Sequence, residues 1–270
     1  MTRARAGRWG DLHVRVASGF VLLALGTLAT WEGGLFFRLS LLVLFGIMTW
    51  ELAGLTAPDT GSDTRQIRLG LAGLAVLTLG ALMTVLPLPF GAVGLVLPVI
   101  GLYLTPRGDR VVIAIYGALM FAAAVGFLVL RQQGALVFLW LVLIVVVSDS
   151  AGYFAGRLLG GPKFWPSISP KKTWSGTVAG WIGAAVVGAV FAVAGHAGWG
   201  LLIMSPLVAF AGQMGDMLES WIKRRAGVKD ASQLIPGHGG FLDRFDALIS
   251  AVLCVLLISL VLPLPFAVVR

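Results

Sequence analysis

The sequence has 270 residues, of which 58% are hydrophobic and 12% are charged, and its mean hydropathy is +0.95. These values lie outside the range of soluble globular domains and indicate a membrane protein with several spans. The net charge of +8 suits anionic lipids or an anionic substrate, and nothing in the pattern indicates a nucleic-acid groove.

Nine apolar stretches are long enough, or nearly so, to cross a hydrocarbon core of about 30 Å as helices. In chain order they cover residues 14–31, 35–55, 69–86, 88–104, 111–130, 135–155, 177–195, 198–215 and 247–267. The predicted fold class is therefore all-α, a polytopic integral membrane protein with about nine transmembrane helices. The sequence VLPLPFG, between the third and fourth stretches, gives the least distinct boundary.

The distribution of positive charge predicts the orientation. With a cytoplasmic N-terminus, nine crossings leave five segments on the inner side: the N-terminal arm and residues 56–68, 105–110, 156–176 and 216–246. All Lys and Arg residues except Arg38, Arg131 and Arg270 lie in these segments. By the positive-inside rule, this places the N-terminus and the basic face in the cytoplasm; in a bacterium the membrane would be the inner, or plasma, membrane.

The two halves of the chain differ in polar content. Residues 1–134 are apolar helices with short loops and are predicted to be scaffold. Residues 135–270 carry the cytoplasmic loops with the candidate catalytic residues, and both halves are predicted to form one membrane unit. Glu51 and Arg38, at opposite ends of the second stretch, are interpreted as side chains that reach out of the membrane to water.

Asp149 is an ionisable residue inside an apolar stretch. It follows 14 residues from the outer start of the sixth stretch, which is about 21 Å of helix. An ionised Asp at a helix centre costs roughly 2.5–3.5 kcal/mol to insert, so Asp149 is expected to face a polar cavity with a cation or donor beside it. It is a candidate metal ligand, with a purely structural hydrogen bond as the alternative.

A polar stripe is predicted near the end of the eighth stretch. Asp216, Ser220 and Lys223 recur at the spacing of one helix face, and Glu219 lies beside them.

Two further carboxylates follow in the sequence LDRFD. Asp243 and Asp246 are three residues apart and share one helix face, while Arg244 points elsewhere. Opposite Asp216, they would make an oxygen-rich pocket that Mg²⁺ accepts, completed by water and substrate phosphates. Surface decoration is the alternative for such a pair taken alone.

The sequence IPGHGG joins these two acidic segments. Its glycines allow backbone N–H groups to approach an anion closely, ahead of a helix that starts near Phe241. His238 within it is a candidate donor to a phosphate oxygen. A plain turn with a neutral histidine is the alternative.

The sequence SISPKKTWSG contains a local conflict. Ser169 and Pro170 are typical of a helix N-cap and first position, which places Lys171 and Lys172 in the first turn. Cations there oppose the helix dipole, but a bound anion would reverse this penalty. The alternative is a loop that stays unwound until about Ser175 and leaves the lysines in solvent or near lipid headgroups.

The motifs SPKKTWSG, GDMLESWIKRR, KD at residues 229–230 and PGHGGFLDRFD resemble those of the phosphatidate cytidylyltransferases, or CDP-diacylglycerol synthases. The resemblance implies the reaction of CTP with phosphatidic acid in phospholipid biosynthesis, which gives CDP-diacylglycerol and pyrophosphate. It also implies Mg²⁺ as cofactor, with a second cation left open, and a homodimer in the lipid bilayer.

The resemblance also implies roles for individual residues. The catalytic set is Asp216, Asp243, Asp246, Lys223 and Arg224, and the three aspartates are also metal ligands, with Asp149 as a ligand or support. The substrate-binding set is Ser169, Lys171, Lys172, Thr173, Trp174, Ser220, Lys229, Asp230, His238, Gly239, Gly240 and Arg244. Ser175 departs from the family pattern, which usually has Glu after the Trp, and a changed nucleotide contact is expected there.

Two other classes of protein remain as alternatives. A multi-pass transporter of an anionic solute would need polar residues toward both membrane faces, whereas the predicted outer side is almost bare, and the sequence shows no convincing internal repeat. A non-catalytic protein that binds acidic lipids would explain the lysines but not the paired aspartates.

Overall fold

A computed structural model describes residues 3–55, 62–84, 93–105, 107–237 and 239–266, with the backbone alone for residues 3–17 and 62. In chain order its elements are α1 Arg3–Glu32, α2 Gly34–Leu55, α3 Ser62–Thr84, α4 Val96–Leu104, α5 Arg110–Gln133, α6 Ala135–Leu158, β1 Lys163–Trp165, β2 Ser169–Thr173, α7 Trp174–Val193, α8 Leu201–Arg225 and α9 Leu242–Val261.

Most of these helices have the properties of membrane spans. Within the described residues, seven are long and apolar enough to cross a bilayer: α2, α3 and α5 to α9. Large apolar side chains such as Leu77, Ile203 and Leu260 are more than two-thirds exposed on them, as expected for a lipid-facing surface. The mainly helical membrane fold is confirmed, whereas the count of nine crossings and the cytoplasmic N-terminus stay predictions.

The chain divides into two compact units. Unit 1 consists of residues 1–121 and 225–244, and unit 2 of residues 122–224 and 245–270. The boundary at residue 134 inferred from the sequence separates apolar scaffold from polar loops, and it stays a prediction.

Glycines bring α6 and α7 together in unit 2. A Cβ atom added to Gly176 would lie 2.5 Å from the carbonyl oxygen of Gly152, and one added to Gly152 would lie 3.1 Å from that of Gly176. Small residues of this kind let helix backbones approach closely in membranes. This contact positions the start of α7, which follows the lysine-bearing strand β2.

The expected helix start at Ser169 is wrong, because residues 169–173 form a strand. β2 pairs with β1 in an antiparallel hairpin, with Lys163 opposite Thr173. Thr173 is the N-cap of α7: its backbone is extended, and its hydroxyl accepts a hydrogen bond from the N–H of Gly176 at 3.2 Å. The cap and the strand pairing together move the helix start to Trp174, so Lys171 and Lys172 lie on the hairpin.

The Gly176 contact gives the first prediction. Gly176→Ala should lower the free energy of unfolding by about 1–3 kcal/mol, because the added methyl group meets the backbone of α6. The matched control is Gly73→Ala in α3, where a Cβ atom meets nothing within 4 Å and a gain of up to about 1 kcal/mol is expected from helix propensity. Denaturant unfolding in detergent micelles measures both, and equal effects at the two sites would contradict the close packing.

Candidate functional site

Asp216, on α8, is held between the hairpin and its own helix. Its carboxylate forms an ion pair with Lys172 of β2, and the Ser220 hydroxyl donates a hydrogen bond to Oδ1 at 3.3 Å. The Lys172 and Asp216 side chains are 28% and 31% exposed, so the pair lies at the edge of the protein interior. Asp216 and Ser220 share a helix face, as their spacing predicts.

Asp246, in the second turn of α9, lies beside Asp216 in unit 2. The residue is 8% exposed, and the N–H of Ala247 donates to its Oδ1 at 2.7 Å. Its carboxyl group shares a hydrogen bond with Asp216 and also interacts electrostatically with Glu219. Two of the four aspartates predicted as metal ligands, Asp216 and Asp246, therefore meet in one unit.

Glu219 and Lys223 form a buried ion pair one turn apart on α8. Glu219 is fully buried, Lys223 is 7% exposed, and the ammonium nitrogen lies 2.5 Å from Oε2. From the sequence, Lys223 is predicted to belong to the catalytic set, and Glu219 is placed only beside the polar stripe. Their spacing of i and i+4 is the signal that could have identified the pair.

The carboxylates have the donor atoms of a partial magnesium site. Among the described residues, no group of three or more His, Cys, Asp and Glu is arranged to hold a metal ion. Asp216 and Asp246 nevertheless present adjacent oxygens, and Lys172 supplies the cation that neutralises Asp216 here. Mg²⁺ in proteins usually takes one or two carboxylates and completes its shell with water and substrate phosphates. The pair fits that chemistry.

A cavity of about 510 Å³ lies in unit 2 beside this pair. Asp149, Lys171 and Lys172 line it together with the aromatic rings of Tyr153 and Phe164. Asp149 is exposed and so faces a space that contains two lysines, as its position in an apolar stretch predicts. Its role as a metal ligand stays a prediction.

Gln213 orders one wall of the cavity. Its amide nitrogen donates to Ser148 Oγ at 3.2 Å and to the carbonyl of Thr177 at 3.3 Å, and its amide oxygen accepts from Trp181 Nε1 at 3.0 Å. This network was not predicted from the sequence. The feature of the sequence that could have indicated it is the presence of polar side chains on three apolar helices, because such side chains need hydrogen-bond partners inside a membrane.

The hairpin is fastened to α7 by the residues that precede and follow Trp174. The Ser175 hydroxyl donates to the carbonyl of Gly160 and lies 3.0 Å from the Thr173 hydroxyl. Trp174 itself is 47% exposed, and its ring meets that of Phe164 edge to face at 4.8 Å. Ser175 therefore has a local structural partner at the position where the family pattern usually has Glu.

Glu51 organises the polar loop of unit 1. It is fully buried, and its carboxylate accepts hydrogen bonds from the N–H groups of Phe241 and Leu242, at 3.0 and 2.7 Å, and from the Ser232 hydroxyl at 2.6 Å. The interpretation that this side chain reaches out to water is wrong. The start of α9 has unsatisfied N–H groups and positive dipole charge, so a carboxylate from α2 caps it.

Asp243 closes the same loop from within. Its Oδ2 accepts from the N–H groups of Ala231 and Gly240 at 2.9 and 2.7 Å. Gly239 has φ of +84°, and a Cβ atom on Gly240 would lie 2.5 Å from Glu51 Oε1. The N–H group of Gly240, which the sequence offers to a substrate anion, donates to Asp243 here, and the substrate role of this loop stays a prediction. Asp243 belongs to unit 1, and its role at the metal site stays a prediction.

The remaining predicted site residues lie on the surface or outside the described part. Exposed side chains are those of Lys171, Arg224, Lys229, Asp230 and Arg244, and Ser169 is half-buried. His238 lies outside the described residues. The substrate roles of this group stay predictions.

Comparison with known proteins covers nearly the whole chain. The model of a family described as the cytidylyltransferase family matches residues 13–262. A protein of Brucella suis biovar 1 (strain 1330) named phosphatidate cytidylyltransferase is 34% identical over 250 residues, which is 89% of this chain and 90% of the relative. Proteins of the same name from Staphylococcus saprophyticus and Helicobacter pylori are 43% and 38% identical over 46% and 50% of this chain, and 50% of each relative.

The hydrogen bonds of Glu51 give the second prediction. Glu51→Ala should lower the free energy of unfolding by about 3 kcal/mol, because it leaves two N–H groups at the start of α9 without their acceptor. The control is Glu32→Ala at the exposed end of α1, with an effect within about 0.5 kcal/mol. Hydrogen exchange localises the change: the amides of Phe241 and Leu242 should lose protection in the first variant, and unchanged protection there would refute the capping role.

Proposed function

Because the chain belongs to the cytidylyltransferase family, it is a nucleotidyltransferase, and we propose that it transfers the cytidylyl group of CTP to phosphatidic acid. The products are CDP-diacylglycerol and pyrophosphate. This reaction supplies an activated lipid for phospholipid biosynthesis.

One observation carries the proposal beyond the family match. Asp216 and Asp246 meet at the end of a membrane helix, and Lys172 joins Asp216 to a cavity that Lys171 and Asp149 also line. An acidic pair for a divalent cation therefore lies next to cationic groups for phosphates. A transporter of anions has no need of the acidic pair, and a passive lipid-binding surface leaves it without a purpose.

The chemistry requires little help from a base. The second pKa of a phosphate monoester is about 6, so the phosphate of phosphatidic acid is largely ionised at neutral pH. One of its oxygens forms a bond to the α-phosphorus of CTP, while the bond from that phosphorus to the bridging oxygen of the β-phosphate breaks and pyrophosphate leaves. The main barrier is repulsion between the two polyanionic substrates. Cationic groups of the site reduce this repulsion, and the site holds the two phosphates in line for the transfer.

The residues divide this work according to their surroundings. Lys171 and Lys172 at the cavity neutralise phosphate oxygens, and the aromatic rings of Tyr153 and Phe164 give the cavity an apolar side for the base or an acyl chain. Lys223 forms an ion pair with Glu219, so its ammonium group is held in place and acts on the substrate phosphates through its positive charge. Exposed Arg224 and Lys229 attract the nucleotide from solution.

Magnesium is the cofactor in this proposal. Asp216 and Asp246 would hold it, with Asp243 and Asp149 as further ligands. When bound, the ion supplies positive charge to the phosphates.

The same proposal includes the setting of the enzyme. It spans the inner or plasma membrane as a homodimer with its active site toward the cytoplasm, where CTP is made. Light scattering from the detergent complex tests the dimer, and labelling of a cysteine introduced at exposed Lys229 in sealed inside-out vesicles tests the orientation.

The third prediction tests the reaction and the acidic pair. The purified chain in vesicles should release pyrophosphate from CTP only when phosphatidic acid and Mg²⁺ are both present. Asp246→Asn and Asp216→Asn should each lower kcat/KM about 100-fold or more, because the variants keep the shape of the side chain and lose its charge.

The control is Asp63→Asn, an exposed carboxylate in the first turn of α3 that should keep normal turnover. Unchanged thermal unfolding of the two site variants shows that they are folded. Near-normal turnover in either one would exclude the acidic pair from the reaction, and a fully inactive wild-type chain would favour the transporter or lipid-binding alternatives.

The fourth prediction concerns the metal alone. EDTA should abolish activity and added Mg²⁺ should restore it. In the absence of both substrates, Mg²⁺ should raise the thermal midpoint of the wild-type protein and leave that of Asp216→Asn unchanged, because a bound ion stabilises only the state that binds it. Equal shifts in the two proteins would place the ion elsewhere.

A further inference from the structure

Arg107 lies in the connection between α4 and α5, and the charged end of its side chain is more buried than the rest of the residue. Its three guanidinium nitrogens are buried, yet the residue as a whole is half-buried, so the exposed part is the stem and the backbone. A long cationic side chain at a membrane boundary normally does the reverse and keeps its charged end in water. The charge of Arg107 is therefore turned into the protein.

Within the described residues, the Arg107 guanidinium has no hydrogen-bond partner. Asp109, two residues later, is engaged by Arg225, which donates from Nε at 2.9 Å and from Nη2 at 2.5 Å. Glu51 accepts from two backbone N–H groups and Ser232. Asp109 and Glu51 are thus committed to other donors.

Arg107 interacts electrostatically with a second cation. Arg68 acts on it electrostatically, and burial and Arg68 together lower the pKa of Arg107. Arg68 is held in place, with its guanidinium carbon 3.7 Å from the centre of the Trp50 ring and its Nε donating to the carbonyl of Trp50 at 3.1 Å. Two guanidinium groups therefore interact in unit 1, and Arg68 also interacts with Glu51, whose carboxylate is already hydrogen-bonded.

A guanidinium stays protonated in proteins, so Arg107 cannot escape this environment by losing a proton. A buried charge without a partner is strongly destabilising, and such charges are normally paired. An anion from outside the chain would remove the penalty. The exposed stem keeps the guanidinium within one side-chain length of solvent.

We propose that Arg107, with Arg68 beside it, binds a phosphate group of a substrate in unit 1. The planar guanidinium fork matches two phosphate oxygens at once, which an ammonium group cannot do. A phosphate monoester with nearly two negative charges also compensates both arginines. That the phosphate comes from a substrate rests on the proposed function. The residue lies in the half of the chain that the sequence analysis treats as scaffold.

The experiment compares Arg107→Gln, Arg107→Lys and the control Arg110→Gln. Arg110 is exposed, with its guanidinium 5.5 Å from the centre of the Tyr103 ring, so it serves as a matched cation whose charged end is not buried. Thermal unfolding of the full chain in detergent is measured without ligand and across titrations with dihexanoyl phosphatidic acid and, separately, CTP. The two titrations show which source the phosphate comes from.

Without ligand, Arg107→Gln should keep or raise the thermal midpoint, because it removes a buried charge that has no partner. With ligand, its Kd for one of the two substrates should rise tenfold or more, with Arg107→Lys between it and the wild type. The affinity of Arg107→Gln for the other substrate should be normal. The Arg110→Gln control should bind both substrates normally. A lower midpoint without ligand would show a structural ion pair and overturn the proposal, as would unchanged affinity for both substrates.

Failure of the proposed function has a different signature. If the wild-type chain forms no CDP-diacylglycerol but Arg107→Gln loses affinity for a phosphate ligand, the binding site stands and the reaction assignment fails. If the wild-type chain is active and Arg107→Gln has normal KM values for both substrates, the reaction assignment stands and the binding site fails.

Discussion

A carboxylate taken out of water keeps its charge only where donors or cations surround it, and this constraint shapes both units of the protein. Glu51 is compensated by the N–H groups at the start of α9, and Glu219 by Lys223. Asp216 takes the ammonium group of Lys172. Each of these contacts links two segments of the chain, or two turns of one helix, because the buried carboxylate needs a donor or a cation beside it.

The same constraint explains why Asp246 is a good candidate for function. It is buried beside Asp216 and interacts with Glu219, so three acidic groups share two cationic partners, Lys172 and Lys223, in this region. The pair of Asp216 and Asp246 does not stabilise the folded state, since buried groups of like charge oppose folding. The proposed divalent cation, together with the substrate phosphates, would use these acidic groups as ligands.

The first half of the chain contributes more polar contacts than its apolar composition suggests. Glu51, on a helix predicted to be scaffold, caps the first turn of the helix that carries Asp243. Arg107 brings a buried positive charge into the same unit. Both residues belong to loops or helix ends, where polar groups on an apolar framework most often serve binding.

The sequence by itself determined the membrane class, the family motifs and the local spacing on α8, because hydropathy and helical periodicity depend only on neighbouring residues. It did not determine where Lys172 points or what Glu51 binds. A strand pairing with residues 163–165 overrode the helix-start signal at Ser169, and the open N-terminus of a helix 190 residues away drew Glu51 inward. Such partners are distant in the chain, so only the tertiary structure could select them.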